Sequence, residues 1–229
     1  MDAKNRNARI AGFLYLIVVV SGIFTLMYVP GQLIVKGDAA ATVQKIVANE
    51  SLYRWGIAAG FICYTAFLLL PLFLYKLLHE VNEWYARLMV VFVIVSSPIS
   101  FLNLINKFAV LSIINGPGNV LQNDALQSQV MFYNGLYNYG ILITFIFWGL
   151  WLLPFGYLVF RSGFLPKFLG ILLMIGCFGY LINVFGRTLI PDYNNLPISS
   201  YISIPGSLGE IGTCLWLLIV GVRKPKSIS

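Results

Sequence analysis

Residues Ile10–Val35, IAGFLYLIVVVSGIFTLMYVPGQLIV, contain no Asp, Glu, Lys or Arg. Crossing a hydrocarbon core of about 30 Å takes about 20 apolar residues, and this run exceeds that. Lys4, Arg6 and Arg9 precede it as they would precede a signal peptide. The run is nevertheless too long for an h-region and no A-x-A-like cleavage site follows, so it reads as a retained transmembrane helix. Four more charge-free runs follow: Trp55–Tyr75, Leu88–Asn106, Ala125–Phe160 and Phe168–Gly186. A sixth, Ile204–Val222, is interrupted only by Glu210. The polar start of the fourth run, Ala125–Gln129, leaves room there for one helix. The expected fold is therefore all-α: a six-helix transmembrane bundle in a single integral membrane domain over 1–229, with spans near 8–30, 54–78, 85–114, 131–160, 167–190 and 204–222.

Composition agrees. Of 229 residues, 59% are apolar and 10% charged, against roughly a quarter charged in soluble domains, which excludes a soluble globular class. Six spans consume about 120 residues and leave no segment long enough for a soluble domain. The net charge of +7 is spread over segment ends rather than gathered in a stripe, so it speaks for topology and against nucleic acid. With the N-terminus inside, Lys4, Arg6, Arg9, Lys76, Arg87, Arg161, Lys167, Arg223, Lys224 and Lys226 face the cytoplasm. Lys36, Lys45, Arg54, Lys107 and Arg187 fall on the outer side or outer half. That asymmetry predicts both termini in the cytoplasm. Cys63, Cys177 and Cys214 lie in apolar stretches without C-x-x-C pairing, which gives neither a disulfide framework nor a zinc site.

Two outer segments read as short amphipathic interfacial helices. In one, Asp38 is the N-cap, Val43, Ile46 and Val47 share a face, and the end falls near Asn49. The other follows Asn123, after a Gly116-Pro117-Gly118 breaker, with Leu126 and Val130 on one face. Pro71, Pro98 and Pro154 fall inside spans two, three and four, where they kink helices for shape or for gating. Gly56 and Gly60 form a G-x-x-x-G that admits a close neighbour. Arg9-Ile-Ala-Gly12 and Lys167-Phe-Leu-Gly170 both open a span from the cytoplasmic side, a hint of repetition too short to establish one.

Catalytic equipment is sparse. His79, the single histidine, lacks the second histidine of a zinc-protease helix and cannot form a bis-histidine haem site. Pro205-Gly206-Ser207-Leu208-Gly209 is not G-x-S-x-G, and no Walker or dinucleotide glycine pattern occurs. No cofactor, metal or catalytic residue is expected. What remains is a set of polar residues inside the spans. Asn103, Asn106 and Lys107 lie on one face of span three, Asn134 and Asn138 are four apart on span four, and Asn183 and Arg187 are four apart on span five. Glu210 follows Pro205, Gly206 and Gly209 in span six, and Arg54 opens span two.

A charged side chain at a helix centre costs roughly 2.5–3.5 kcal/mol and usually faces water or a partner. Two readings follow. In one, Arg54, Lys107 and Arg187 attract a polar or anionic small molecule or lipid headgroup into an outward-facing pocket, for transport or sensing. There Asn103, Asn106, Asn134, Asn138 and Asn183 hydrogen-bond it, Glu210 orients the cations, and Tyr133, Tyr137 and Tyr139 supply amphipathic walls. In the other, the chain is a non-catalytic membrane subunit or regulator whose buried polar residues only specify helix packing, with Glu210 paired to Lys107 or Arg187. An intramembrane enzyme acting on lipid is the weakest reading, because its acid–base equipment reduces to Glu210, Lys107 and tyrosines. Membrane lipids are expected partners; no sequence feature names a protein partner.

The stretch Trp148–Gly170, WGLWLLPFGYLVFRSGFLPKFLG, followed by Gly179-Tyr180-Leu181, resembles the signature of a bacterial multi-pass membrane family catalogued only as a domain of unknown function. The opening Ala8-Arg9-Ile10-Ala11-Gly12-Phe13-Leu14-Tyr15-Leu16 is similar to that family's start. The resemblance runs from about Arg9 to Val222. It implies six helices and a bacterial cytoplasmic (inner) membrane, and it carries no activity, cofactor or site residue. Locally, Arg161-Ser162-Gly163 ends span four with a basic anchor and a helix-stopping glycine, and Pro166 starts span five.

Overall fold

The computed structural model describes residues 3–116 and 124–222. Among them the chain is an all-α bundle with six helices long and apolar enough to cross a membrane. These are α1 (Ala3–Leu33), α3 (Glu50–Leu78), α4 (Glu83–Ile114), α5 (Asp124–Arg161), α6 (Lys167–Leu189) and α7 (Ile198–Val220). A short helix, α2 (Ala39–Ala48), follows α1. Arg223, Lys224 and Lys226, the Pro117-Gly118 part of the breaker, and Asn123 lie outside the described residues. Large apolar side chains such as Val20, Met27, Leu102, Ile105, Phe178 and Ile219 are exposed along the long helices. In water that surface would be an aggregation hazard, whereas hydrocarbon solvates it.

Two compact units make up the chain: Met1–Leu16, Ala66–Ser97 and Ile143–Ser229 in the first, Ile17–Thr65 and Pro98–Leu142 in the second. In the second unit, α2 forms as the sequence predicts. The Asp38 carboxylate accepts the Ala41 N–H at 2.8 Å, which satisfies an orphan donor of the first turn. Val43 and Ile46 are fully buried beside Val29, Leu33, Ile57 and Val110. The segment after Asn123 differs from expectation in being no separate helix. Leu126 and Val130 do share a buried face, but that face belongs to one continuous helix, Asp124–Leu150, because no residue between Asp124 and the apolar run breaks the ladder.

Gly56 and Gly60 act as packing notches. A Cβ on Gly56 would lie 2.9 Å from Val29 Cγ1, and one on Gly60 3.1 Å from a Leu104 methyl. The closeness of α1 and α3 lets Thr25 Oγ1 donate to the Gly56 carbonyl at 2.7 Å. Around Thr25, α1 widens into a π-turn over Phe24–Tyr28, with the Val29 N–H bonded to the Phe24 carbonyl. Pro30 next to it has no N–H to continue the regular ladder.

In the first unit an aromatic stack forms the core. Trp151 is stacked on Phe155 at 5.0 Å and meets Phe67 edge-on at 5.2 Å, while the Tyr15 ring stands 6.1 Å from Trp151. Pro71 and Pro98 sit within uninterrupted helices. Pro154 does not, for α5 is broken by a turn at Trp151, where the Leu150 carbonyl loses its donor. The expected tight hairpin between α5 and α6 is present: Gly163 has φ +74° and Pro166 caps α6. Glycines then bring backbones together. A Cβ on Gly176 would lie 2.5 Å from Gly206 Cα, one on Gly209 2.9 Å from Leu173 N, and one on Gly12 2.5 Å from Leu218 N. Thus the glycines before Glu210 serve packing against α6.

Candidate functional site

The polar residues singled out in the sequence fall into both units. Arg54, Asn103, Asn106, Lys107, Asn134 and Asn138 belong to the second; Asn183, Arg187 and Glu210 belong to the first.

In the second unit α4 carries Asn103, Asn106 and Lys107 near its C-terminal end. The face they share is turned inward for Asn103 and Lys107, which are 7% and 5% exposed. Asn103 Nδ2 donates to the Tyr137 backbone carbonyl at 2.8 Å. Gly140 permits this approach, since any Cβ there would collide with the Asn103 amide. Asn106 turns back on its own helix, donating to Asn103 Oδ1 at 3.0 Å. The Lys107 ammonium lies 4.3 Å from the Tyr137 ring centroid and makes no ion pair among the described residues.

Beside it is a cavity of about 170 Å³. Its polar lining comprises Lys107, Tyr53, Asn134, Tyr137 and Asn138, and its apolar lining Val29, Pro30, Leu33, Ile34 and Met131. Tyr53 Oη and Asn134 Nδ2 are both buried and without a hydrogen-bond partner. Three of the predicted residues therefore meet at one cavity: Lys107, Asn134 and Asn138. Asn103 and Asn106 are used in helix contacts. Arg54 is exposed and held by Glu50 four residues earlier at 2.6 Å, so its charge is already countered.

The first unit holds a different arrangement. Glu210 makes no ion pair among the described residues, which corrects the expectation that it orients the cations. Its two carboxylate oxygens accept instead from phenols, Tyr15 Oη at 3.2 Å and Tyr180 Oη at 3.5 Å. Asn183, 4% exposed, donates to Ser203 Oγ at 2.7 Å, while Arg187, one turn on, is exposed. Helix spacing brought Asn183 and Arg187 to one side; burial separates their roles.

Sequence reasoning missed Tyr53 as a lining residue, and Tyr15 and Tyr180 as partners of Glu210. A signal was present for the last two. Tyr15 stands in the opening Ala8–Leu16 motif and Tyr180 in Gly179-Tyr180-Leu181, the two stretches outside the α5–α6 hairpin that carry the family resemblance. Their hydroxyls meet at one carboxyl group. The family profile described as Domain of unknown function (DUF4386) matches residues 10–221. The chain belongs to the DUF4386 family. An uncharacterized protein of Archaeoglobus fulgidus is 34% identical to this DUF4386 chain over 92 residues, 40% of the chain and 52% of that protein. The alignment thus spans about half the relative's length. No solved structure matches the DUF4386 chain.

Proposed function

We propose that this multi-pass membrane protein binds a polar or anionic small molecule or lipid headgroup in the cavity beside Lys107, for transport or sensing. The carrying observation is the lysine itself, 5% exposed at the cavity wall with its ammonium against the Tyr137 ring. A buried ammonium is costly without a counter-charge, and a ring face is only a partial substitute for one. An anionic group in the cavity closes that gap. Arg187, exposed and without an ion pair among the described residues, adds positive charge that draws anions towards the protein. The helices sit in a cytoplasmic membrane with both termini inside, on the charge asymmetry of the loops.

Native mass spectrometry with metabolite and lipid extraction tests the reading. A species retained by wild type and by Arg187→Ala but lost from Lys107→Ala, at matched melting temperature, is the expected result. Identical bulk lipid on all three forms would sink it. The second reading, a non-catalytic subunit or regulator, draws on the bonds Asn103 to Tyr137 and Asn183 to Ser203, which tie helix to helix. A stable hetero-complex surviving mild solubilisation, with an empty cavity, is its signature.

A further inference from the structure

We infer that the group taken by the Lys107 cavity is a monoanionic carboxylate carried on an apolar body, an inference that rests on the pocket reading above. Charge comes first. Among the described residues Lys107 is the one Lys, Arg, Asp, Glu or His lining the cavity, so a single negative charge balances the site and a dianion leaves an excess in an apolar wall. The absence of a lining acid likewise disfavours amino acids and other zwitterions, whose ammonium group would meet no counter-charge there.

Donor count comes second. The Lys107 ammonium is nearly fully buried, and Tyr53 Oη and Asn134 Nδ2 are buried without a partner. All three can donate hydrogen bonds, and an ionised carboxylate only accepts them, with about four lone-pair sites on two oxygens. Shape comes third. Val29, Leu33, Ile34 and Met131 supply an apolar wall, and a cavity of about 170 Å³ compares with the roughly 150 Å³ that encloses a benzene ring. A carboxylate on one short apolar segment matches those dimensions, whereas a phosphodiester needs room for two substituents. The same chemistry is offered by a free short-chain acid and by the head of a fatty acid.

The test is carbon-13 NMR of the full-length protein in maltoside micelles with carboxyl-labelled hexanoate, carboxyl-labelled oleate and, separately, diethyl phosphate followed through phosphorus. Wild type should shift the carboxyl resonance of at least one acid at a saturable site that hexylammonium does not empty. Lys107→Gln should weaken binding at least about ten-fold, and Tyr53→Phe about three- to ten-fold. Should Lys107→Gln fail to fold, Tyr53→Phe and the charge-preserving Lys107→Arg decide, the first weakened and the second retaining binding. Hexanoate binding with oleate silent identifies a free acid; saturable oleate binding with hexanoate silent identifies a fatty acid. Lys107-dependent binding of diethyl phosphate without either acid overturns the carboxylate assignment and leaves the anion pocket standing. Displacement by hexylammonium overturns the assignment too. If neither acid nor phosphate shows Lys107-dependent binding, the pocket reading falls with it.

Discussion

At the scale of single residues, charge neutralisation follows different rules inside and outside the spans. Glu80 lies between α3 and α4 and reaches Lys4 Nζ at 2.6 Å, both side chains well exposed. The hydrogen bond and charge of Lys4 hold the Glu80 carboxyl below its usual range. A carboxyl lowered on folding adds stability above its unfolded pKa and loses it as pH falls through the lowered value. Glu80→Gln should therefore lower the melting temperature slightly at pH 7, and the gap from wild type should close in acid, as paired thermal scans will show. Among the described residues Glu210 has no such cation and relies on two phenols. Removing one donor with Tyr15→Phe or Tyr180→Phe should cost about 0.5–2 kcal/mol each, and the double change should be non-additive. Unfolding titrations of the three variants measure this. That Glu210 would be special was legible, since it alone interrupts its apolar run. Its partners were not, because a tyrosine inside an aromatic-rich helix carries no one-dimensional mark of the carboxylate it will meet.

At the scale of elements, periodicity and capping were readable where the physics is local. The Asp38 cap, the Val43 and Ile46 face and the Gly163-to-Pro166 hairpin each rest on a few neighbouring residues. The course of α5 was harder. Its polar first turns look like a separate surface helix by composition, yet hydrogen bonding runs on unbroken from Asp124 to Leu150. The interruption comes later, at Trp151, beside Pro154. Glycines divide sharply by what they face. Gly176 meets the Gly206 backbone, so Gly176→Ala forces α6 and α7 apart and should cost about 1–3 kcal/mol. Gly31 has open space around it, so Gly31→Ala should be neutral or stabilising by up to about 1 kcal/mol. Denaturation in mixed micelles compares the two, and equal effects would contradict the packing account.

At the scale of the whole molecule, the charge-free runs sufficed to count six spans, because insertion depends on summed hydropathy. Which polar residues share a cavity was beyond that arithmetic: helix spacing grouped residues by face but could not say that Arg187 is exposed where Asn183 is buried, that Arg54 is engaged by Glu50 or that Asn106 folds back on Asn103. Orientation is open to a direct trial. With both termini inside, a cysteine at Lys36 should react with an impermeant maleimide on intact cells and one at Ser162 should not; the native Cys63, Cys177 and Cys214 are buried. The reverse pattern inverts the topology. The contact of Gly12 with the Leu218 backbone, reinforced by the Arg9 guanidinium on the Leu218 carbonyl, also bears on biosynthesis. At about 5–20 residues per second, α1 leaves the ribosome roughly 10–40 s before the strip of α7 that covers it. During that interval the Gly12 notch lies bare to lipid or to the insertion machinery. A nascent chain stalled short of α7 should thus present Gly12 to a photo-crosslinker that the finished protein excludes.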